Sequence, residues 1–446
     1  MQQTALQIVK TLQNAGYIAY FAGGAVRDIL LGNSPDDIDI ATNAKPEEIE
    51  KLFAKTYSIG KHFGVILVEE NGHHFEIATF RSDAGYTDGR RPNAVFFTDA
   101  KEDAFRRDFT INGMFFDPIS DELHDFVGGE KDLKRKILRF IGNAEERIRD
   151  DHLRILRAVR FKNRFQLKYE SKTKKALMLH SSLIVHISAE RVQEELTKML
   201  LRFSRKQAFQ DLLDLGILEH IIPELTELKN TPQPKNFHSE GDVLIHTFMV
   251  IAKLPEHPSL ELAWAALFHD IGKAKAISYR EKRIRFPNHE VFGEEISKKI
   301  LKRLKFSNFS LGKICWLVKH HQLFDVFENM KWSTKLHYFD HPFFEDLLLL
   351  HHADLYGSLP SRAHVHEQGE NNLSGIKAEY ERAHFDNLLP SAQPELLSGK
   401  EIMKILNIPP SKKIGEIKAA LREAQLNGKI LDALSARKWI LKKYSS

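Results

Sequence analysis

The stretch GGAVRDILLGNSPDDIDIAT, Gly23 to Thr42, follows the apolar run YIAYFA and carries a glycine turn and three closely spaced carboxylates. Two glycines after an apolar strand let the backbone approach a ligand closely. The following AVRDILL can open a helix whose N-terminal amides attract phosphate. On a strand successive side chains alternate faces, so Asp37 and Asp39 point one way and Asp36 the other. Like charges on one face repel unless a cation lies between them. A phosphate-facing turn, Arg27 and paired carboxylates together make the inventory of metal-assisted nucleotidyl transfer.

Outward from this stretch, residues 1–140 mix short β-rich runs (YIAYFAGG, FGVILVEENGHHFEIATF, NAVFF) with helical stretches, which predicts an α+β domain. At the start, Leu6, Val9 and Leu12 have helical spacing. Strand signals nearly vanish after Gly142. Residues 141–230 read as a helical neck, and NTPQPKNFHSEGD reads as a proline-containing linker. A His-rich helical region covers 236–366. The segment 390–446 reads as a basic helical tail, with two helices separated by Pro409 and Pro410.

At 446 residues and 42% apolar content the chain is long enough for about three domains, each with its own core. One cysteine, Cys315, excludes an internal disulfide framework and a Cys-rich zinc site, and fits a reducing compartment. No window approaches a membrane-spanning run, and the N-terminus lacks a signal-peptide core, so the expected location is cytoplasmic, with no membrane partner. The net charge is only +5, but Lys and Arg concentrate between Lys131 and Lys175 and again after Glu401. Two such runs are either solvated helical faces or the footprint of a polyanion.

GGAVRDILLGNSPDDIDIAT resembles the first signature of the class II tRNA nucleotidyltransferase and bacterial poly(A) polymerase family, GGxVRDxLLGxxxxDxDxxT, at every fixed position. The resemblance continues through RRDFTINGM (Arg106 to Met114), DFVGGEKDLKRKILR (Asp125 to Arg139) and DHLRILRAVRF (Asp151 to Phe161). It implies a polymerase-β-like nucleotidyltransferase head, a mixed sheet with helices, followed by an all-α neck, an HD domain and a helical tail. By that resemblance Asp37 and Asp39 would hold two Mg²⁺ ions, hard cations that prefer carboxylate oxygen. Glu76, on a neighbouring strand, is a candidate third carboxylate.

The resemblance further implies that Gly24, Arg27, Arg107, Asp108, Asp151, Arg154, Arg157 and Arg160 contact the nucleotide. If DDHLRILRAVRFKNRF is one helix, Asp151, Arg154 and Arg157 share a face, while Leu156 and Val159 pack on the other side. A carboxylate beside a guanidinium can read the Watson–Crick edge of a base. The family carries EDxxR here; this chain has Asp150 in place of the Glu and keeps Asp151 and Arg154. Gly128 and Gly129 in FVGGEKDL match a flexible hinge between head and neck. RSDAGYTDGRRPNAVFFTDAKED, basic at Arg90 and Arg91, reads as a mobile lid or a plain surface loop. In the family such a loop goes with ATP addition after CTP.

In the second half, His246, the pair His269–Asp270 in LFHDIGKAK, and Asp354 in HHADLYGS follow the H…HD…D order of HD-domain phosphohydrolases. His289, with His321 or its neighbour His320, would add ligands for a second metal. Imidazoles with a shared carboxylate favour a transition metal such as Mn²⁺, Ni²⁺, Co²⁺ or Fe²⁺ over Mg²⁺. The expected function is template-independent addition of C and A from CTP and ATP to the 3′ end of tRNA, with the acceptor arm held by the basic neck and tail. The rival expectations are an A-adding enzyme or poly(A) polymerase, an RNA phosphohydrolase whose head merely binds RNA, and a non-catalytic RNA-binding protein.

Overall fold

A computed structural model describes residues 1–35, 37–86, 92–234, 238–281, 283–359 and 363–445. The chain separates into two compact units, Met1–Thr226 and Glu227–Ser446.

Among the described residues the first unit has eleven strands: β1 (Ala19–Ala22), β2 (Asp39–Thr42), β3 (Thr56–Gly60), β4 (Val65–Glu70), β5 (His73–Thr79), β6 (Arg81–Tyr86), β7 (Pro92–Phe97), β8 (Phe115–Asp117), β9 (Glu122–His124), β10 (Ile137–Leu138) and β11 (Lys168–Tyr169). Seven of them form one mixed sheet in the order β3-β4-β5-β2-β1-β8-β9, in which only β2 and β5 run parallel. Strands β6 and β7 pair as a separate antiparallel hairpin. The stretch read as a lid or a plain surface loop thus contains two paired strands, while Arg90 and Arg91 lie outside the described residues.

Alternation sets what the sheet buries. Ile40 pairs with Ile77 across β2 and β5, and both are fully buried, so the residues just before them, Asp39 and Glu76, emerge on the opposite face. The Gln2–Asn14 helix covers the core with Ala5, Ile8, Val9 and Leu12, a spacing of three and four residues. Leu6, read from sequence as part of that face, is only half-buried.

Beyond the sheet the first unit is mainly helical, as expected, with Ala144–Asp150, Arg154–Arg164, Ser171–Leu179, Ala189–Leu200 and Arg205–Asp214 in turn, and one short parallel strand pair, Ile137–Leu138 with Lys168–Tyr169. One expectation changes here. The DDHLRIL stretch is not one helix: Asp151 is extended, and its carboxylate accepts from the Leu153 amide at 3.1 Å, breaking the run between two helices. The turn that carries the glycine pair is tied down by one carboxylate. The Asp125 carboxylate accepts from the amides of Val127, Gly129 and Glu130, and a Cβ on Gly129 would run into the Thr110 carbonyl. Close packing accounts for glycine at 129, whereas Gly128 has a φ of 77°, in the left-handed region that favours glycine.

The second unit packs Val243–Ala252, Leu260–Phe268, His289–Arg303, Asn308–His320 and Phe344–Gly357 around a histidine-lined centre. The described residues of the NTPQPKNFHSEGD segment belong to this unit rather than to a linker: Thr231 and Gln233 are buried, and the Val243 amide donates to the Thr231 carbonyl. The tail forms a small core of its own, with Ile402, Ile417 and Ile440 buried among Gly399–Leu406, Lys412–Leu426 and Ala433–Tyr444. The first two of these helices flank the two prolines as expected; the third extends the tail further. Among the described residues, no helix is long and apolar enough to cross a membrane.

Candidate functional site

The first unit opens a polar cleft of about 920 Å³ at the C-terminal end of β1. Its floor begins with Gly23, whose φ of 62° suits glycine, and a Cβ there would come within 2.9 Å of Arg107 Nη1. Gly24 then starts the short Gly24–Leu30 helix. Asp37, Asp39 and Glu76 line the cleft, and so do the eight residues the sequence assigned to the nucleotide. Asp36, read as the bystander, lies outside the described residues. Strand β2 starts only at Asp39, so alternation within the strand places Asp39 and Glu76; Asp37 reaches the same cleft from the segment ahead of it.

Asp39 keeps contact with solvent, yet the atoms packed around it and the charges of Glu76 and Asp37 push its carboxyl up to about 6, against the pull of Arg107. Crowded carboxylates of this kind are relieved by a cation, and oxygen donors suit a hard divalent one. Asp37, Asp39 and Glu76 are more widely spread than a closed ligand set, since the described groups with three donors within 4.8 Å of one another all lie in the second unit.

The cationic side of the cleft is held in place by neighbours. Arg27, only 3% exposed, pairs with Asp28 at 2.9 Å, donates to Asn112 Oδ1 at 2.6 Å and lies 4.1 Å over the Phe165 ring. Arg107 pairs with buried Asp103 at 3.0 Å and covers Phe115. Asp108 and Arg157, both assigned to the nucleotide, bind each other: Asp108 Oδ2 accepts from Arg157 Nη2 and Nε at 2.6 and 2.8 Å. Burial alone would raise the Asp108 carboxyl, but Arg157 and the Asn112 amide hold it down to about 2.

Arg154 is buried with its guanidinium under the Arg147 carbonyl at 2.8 Å and the Arg106 carbonyl at 3.2 Å. Asp150, the residue standing for the family's Glu, lies 3.6 Å from it. Two cleft contacts come from a helix the sequence reading did not use. On Ala189–Leu200, Arg191 pairs with Asp151 at 3.3 Å and the buried Glu195 pairs with Arg160 at 2.6 Å. Spacing of i and i+4 was their one visible signal, and it is common on any charged helix.

The second unit holds a cavity of about 470 Å³, lined in part by Asp270, His289, His321, Asp354, His238 and Lys273. Asp270 sits at its centre, with Oδ2 3.2 Å from His269 and 3.6 Å from His246, and Oδ1 3.3 Å from His289 and 3.7 Å from His321. Asp354 Oδ1 completes one side, 3.0 Å from His246 Nε2 and 3.8 Å from His269. His246, His269 and Asp354 thus form one group of converging donors, and Asp270, His289 and His321 another. His320 turns to the Trp316 carbonyl instead, so of the two neighbours it is His321 that joins the cluster.

The HDIGK motif explains the convergence. A Cβ on Gly272 would collide with the His289 carbonyl, so glycine lets the His289–Arg303 helix come close enough to bring His289 to Asp270. Lys273 Nζ lies 2.6 Å from Asp270 Oδ2 and 3.1 Å from Gln233 Oε1. Burial works to lower the His246 imidazole, yet Asp354 and Glu240 hold it up to about 9. Surroundings that favour a proton so strongly favour a metal cation in its place, and imidazole nitrogens with shared carboxylates suit a transition metal. His238, Glu240 and Gln233 were not picked out by sequence; HSEGD, just before the first histidine of the motif, was the signal for the first two, while Lys273 closes the HDIGK motif itself.

Three family models match the chain: the poly A polymerase head domain over residues 19–139, the probable RNA and SrmB-binding site of polymerase A over 166–229, and the HD domain over 243–354. A CCA-adding enzyme of Lactobacillus helveticus is 42% identical over 257 residues, 56% of this chain and 64% of that protein. One of Lactobacillus gasseri is 39% identical over 268 residues, 58% of this chain and 67% of that protein. The chain thus spans somewhat less than two thirds of the length of the first curated relatives it matches. A Bacillus stearothermophilus CCA-adding enzyme in complex with CTP has the same fold, with a TM-score of 0.72 at 24% identity over 99% of this chain and 97% of that one.

Proposed function

We propose that this chain, which belongs to the family of CCA-adding enzymes built on the poly A polymerase head domain, adds C and A from CTP and ATP to the 3′ end of tRNA without a nucleic-acid template. The observation that carries the reading is the single cleft in which Asp37, Asp39 and Glu76 line the same space as Arg27, Arg107, Asp151 and Arg154.

Asp37 and Asp39, with Glu76 beside them, would hold two Mg²⁺ ions, which supply Lewis acidity to the incoming 3′-hydroxyl, the α-phosphate and the departing pyrophosphate. Arg107 and Arg27 set positive charge along the triphosphate. Asp151 offers acceptors and Arg154 its remaining N–H donors to the edge of the incoming base. A bidentate contact of that kind discriminates by about 1–3 kcal/mol. Asp108 and Arg157, locked to each other, brace the wall behind them. The domains run as head 1–140, neck 141–230, HD region 236–366 and tail 390–446. The basic run from Lys131 and the tail hold the tRNA by backbone and shape, in a cytoplasmic setting.

Incubating the protein with tRNA lacking CCA, tRNA ending in CC and an unstructured RNA tests this. The expected result is C and A on the first and one A on the second. Extension of only the CC-ending tRNA would indicate an A-adding enzyme, and long A tracts on the unstructured RNA a poly(A) polymerase; either overturns the CCA reading.

A second activity is favoured by the cluster around Asp270. His246, His269, Asp270 and Asp354 would hold one transition metal and His289 and His321, sharing Asp270, a second, supplying a Lewis acid for hydrolysis of a phosphate ester such as a 2′-phosphate or 2′,3′-cyclic phosphate at a damaged RNA end. Hydrolysis that survives Asp37→Ala with Asp39→Ala and disappears with His269→Ala supports it; hydrolysis that survives His269→Ala overturns it.

A further inference from the structure

The four imidazoles that converge on Asp270 are oriented by two different devices. His269, His289 and His321 each place Nδ1 against the backbone carbonyl three residues back, Ala266 at 2.8 Å, Phe286 at 2.9 Å and Val318 at 2.6 Å. A carbonyl only accepts, so each Nδ1 carries the proton and each Nε2 turns its lone pair to the cluster.

At His246 the carbonyl three residues back, that of Val243, already accepts the Thr247 hydroxyl at 2.8 Å. His246 Nδ1 lies instead 3.0 Å from Glu240 Oε1. The Glu240 side chain is 1% exposed, and it is tied on every side: Oε1 also meets His238 Nδ1 at 2.8 Å, and Oε2 accepts from the Leu359 amide at 2.9 Å. The Leu359 contact joins the segment before the first histidine to the residues just past the Asp354 helix. A buried carboxylate with three donors aimed at it is fixed in place, and it fixes them.

We infer that Glu240 is a positioning residue of this metal centre: by taking the Nδ1–H of His246 it turns Nε2 toward Asp354 and His269 and makes that nitrogen a stronger donor. The inference rests on the metal-centre reading of the Asp270 cluster. It differs from a rival drawn from the same atoms, because His238, Glu240 and His246 also lie within 4.8 Å of one another and form a candidate ion site themselves. The geometry goes against that rival. With Nε2 of His246 3.0 Å from Asp354, an ion at Glu240 would need the other nitrogen as well, and a neutral imidazole has only one lone pair to give.

The test is a Co²⁺ titration of the full-length apo-protein, followed by visible absorption and by equilibrium dialysis, with Glu240→Ala, Glu240→Gln and His238→Ala beside the wild type. Loss of such an outer carboxylate costs about 10–100-fold in metal affinity. Glu240→Ala should show that loss and an altered cobalt spectrum. Glu240→Gln, which keeps an acceptor, should recover part of the affinity and supplies the answer if the alanine variant unfolds. His238→Ala should bind the same number of ions as the wild type. Wild-type affinity in both Glu240 variants overturns the inference, and so does one fewer ion in His238→Ala, which would make the trio a site of its own. A folded wild type that takes up no Co²⁺ overturns the metal-centre reading itself.

Discussion

The cleft of the first unit and the cluster of the second both gather carboxylates with cationic or imidazole groups, but they are assembled in opposite ways. In the cleft, Asp37, Asp39 and Glu76 are exposed and spread, and the arginines are paired with Asp28, Asp103 and Asp108. In the cluster, His246, His269, Asp270, His289 and His321 are buried and already converge. An open site with paired arginines suits ions that arrive with a nucleotide and leave with pyrophosphate. A buried, preassembled donor set suits resident ions, because the cost of organising it is met in folding.

The strongest way to break this comparison is Asp39→Ala. Under the proposed reading it lowers incorporation of labelled CTP into tRNA roughly a thousandfold, the scale of losing a charge-stabilising group at a transition state. Co²⁺ uptake by the cluster should not follow that loss. Near wild-type incorporation would remove Asp39 from the reaction. The mirror experiment is His269→Ala, which should weaken Co²⁺ binding by roughly a hundredfold or more, as expected for a ligand rather than its outer partner. If both variants change both readouts together, the two sites do not work separately.

Arg154→Lys sharpens the reading of the cleft. A lysine cannot take both carbonyls and still offer a planar pair of donors. The ratio of kcat/KM for CTP over UTP should fall by about tenfold to a hundredfold. An unchanged ratio would move base selection elsewhere.

The smallest effect concerns stability. Asp108 is held at about 2, below the ordinary carboxylate value, by Arg157 and Asn112. A depressed folded-state pKa contributes stability that is fully present above the unfolded value near 3.8 and is lost as pH falls toward 2. Asp108→Asn should therefore cost roughly 2 kcal/mol at neutral pH and flatten the fall of Tm between about pH 4 and pH 2. A variant with the wild-type pH dependence would show that the pair contributes nothing.

Legibility followed the same division. The glycine turn, the Asp-x-Asp pair and the HD motif were visible because their chemistry needs particular residue types at short spacing, and local spacing survives in any fold. Glu76 was reachable because strand alternation is local too. The single helix over Asp151 and Arg154 failed as a reading because an Asp carboxylate can cap the next turn and end a helix within an otherwise helical pattern. The proline-containing segment 230–242 failed because its composition is that of a linker, and only burial of Gln233 and Glu240 shows otherwise.

By itself the sequence determined which groups are candidates for the proposed chemistry: two acids after a glycine turn, an arginine-rich helix, and a set of histidines in H…HD…D order. Only the tertiary structure decided what holds each of them: Arg191 on Asp151, Glu195 on Arg160, Asp108 on Arg157, Glu240 on His246. Apart from Glu240, those partners lie 35 to 49 residues away along the chain. An ion pair needs only opposite charge at close range, which long-range packing supplies and no local pattern announces.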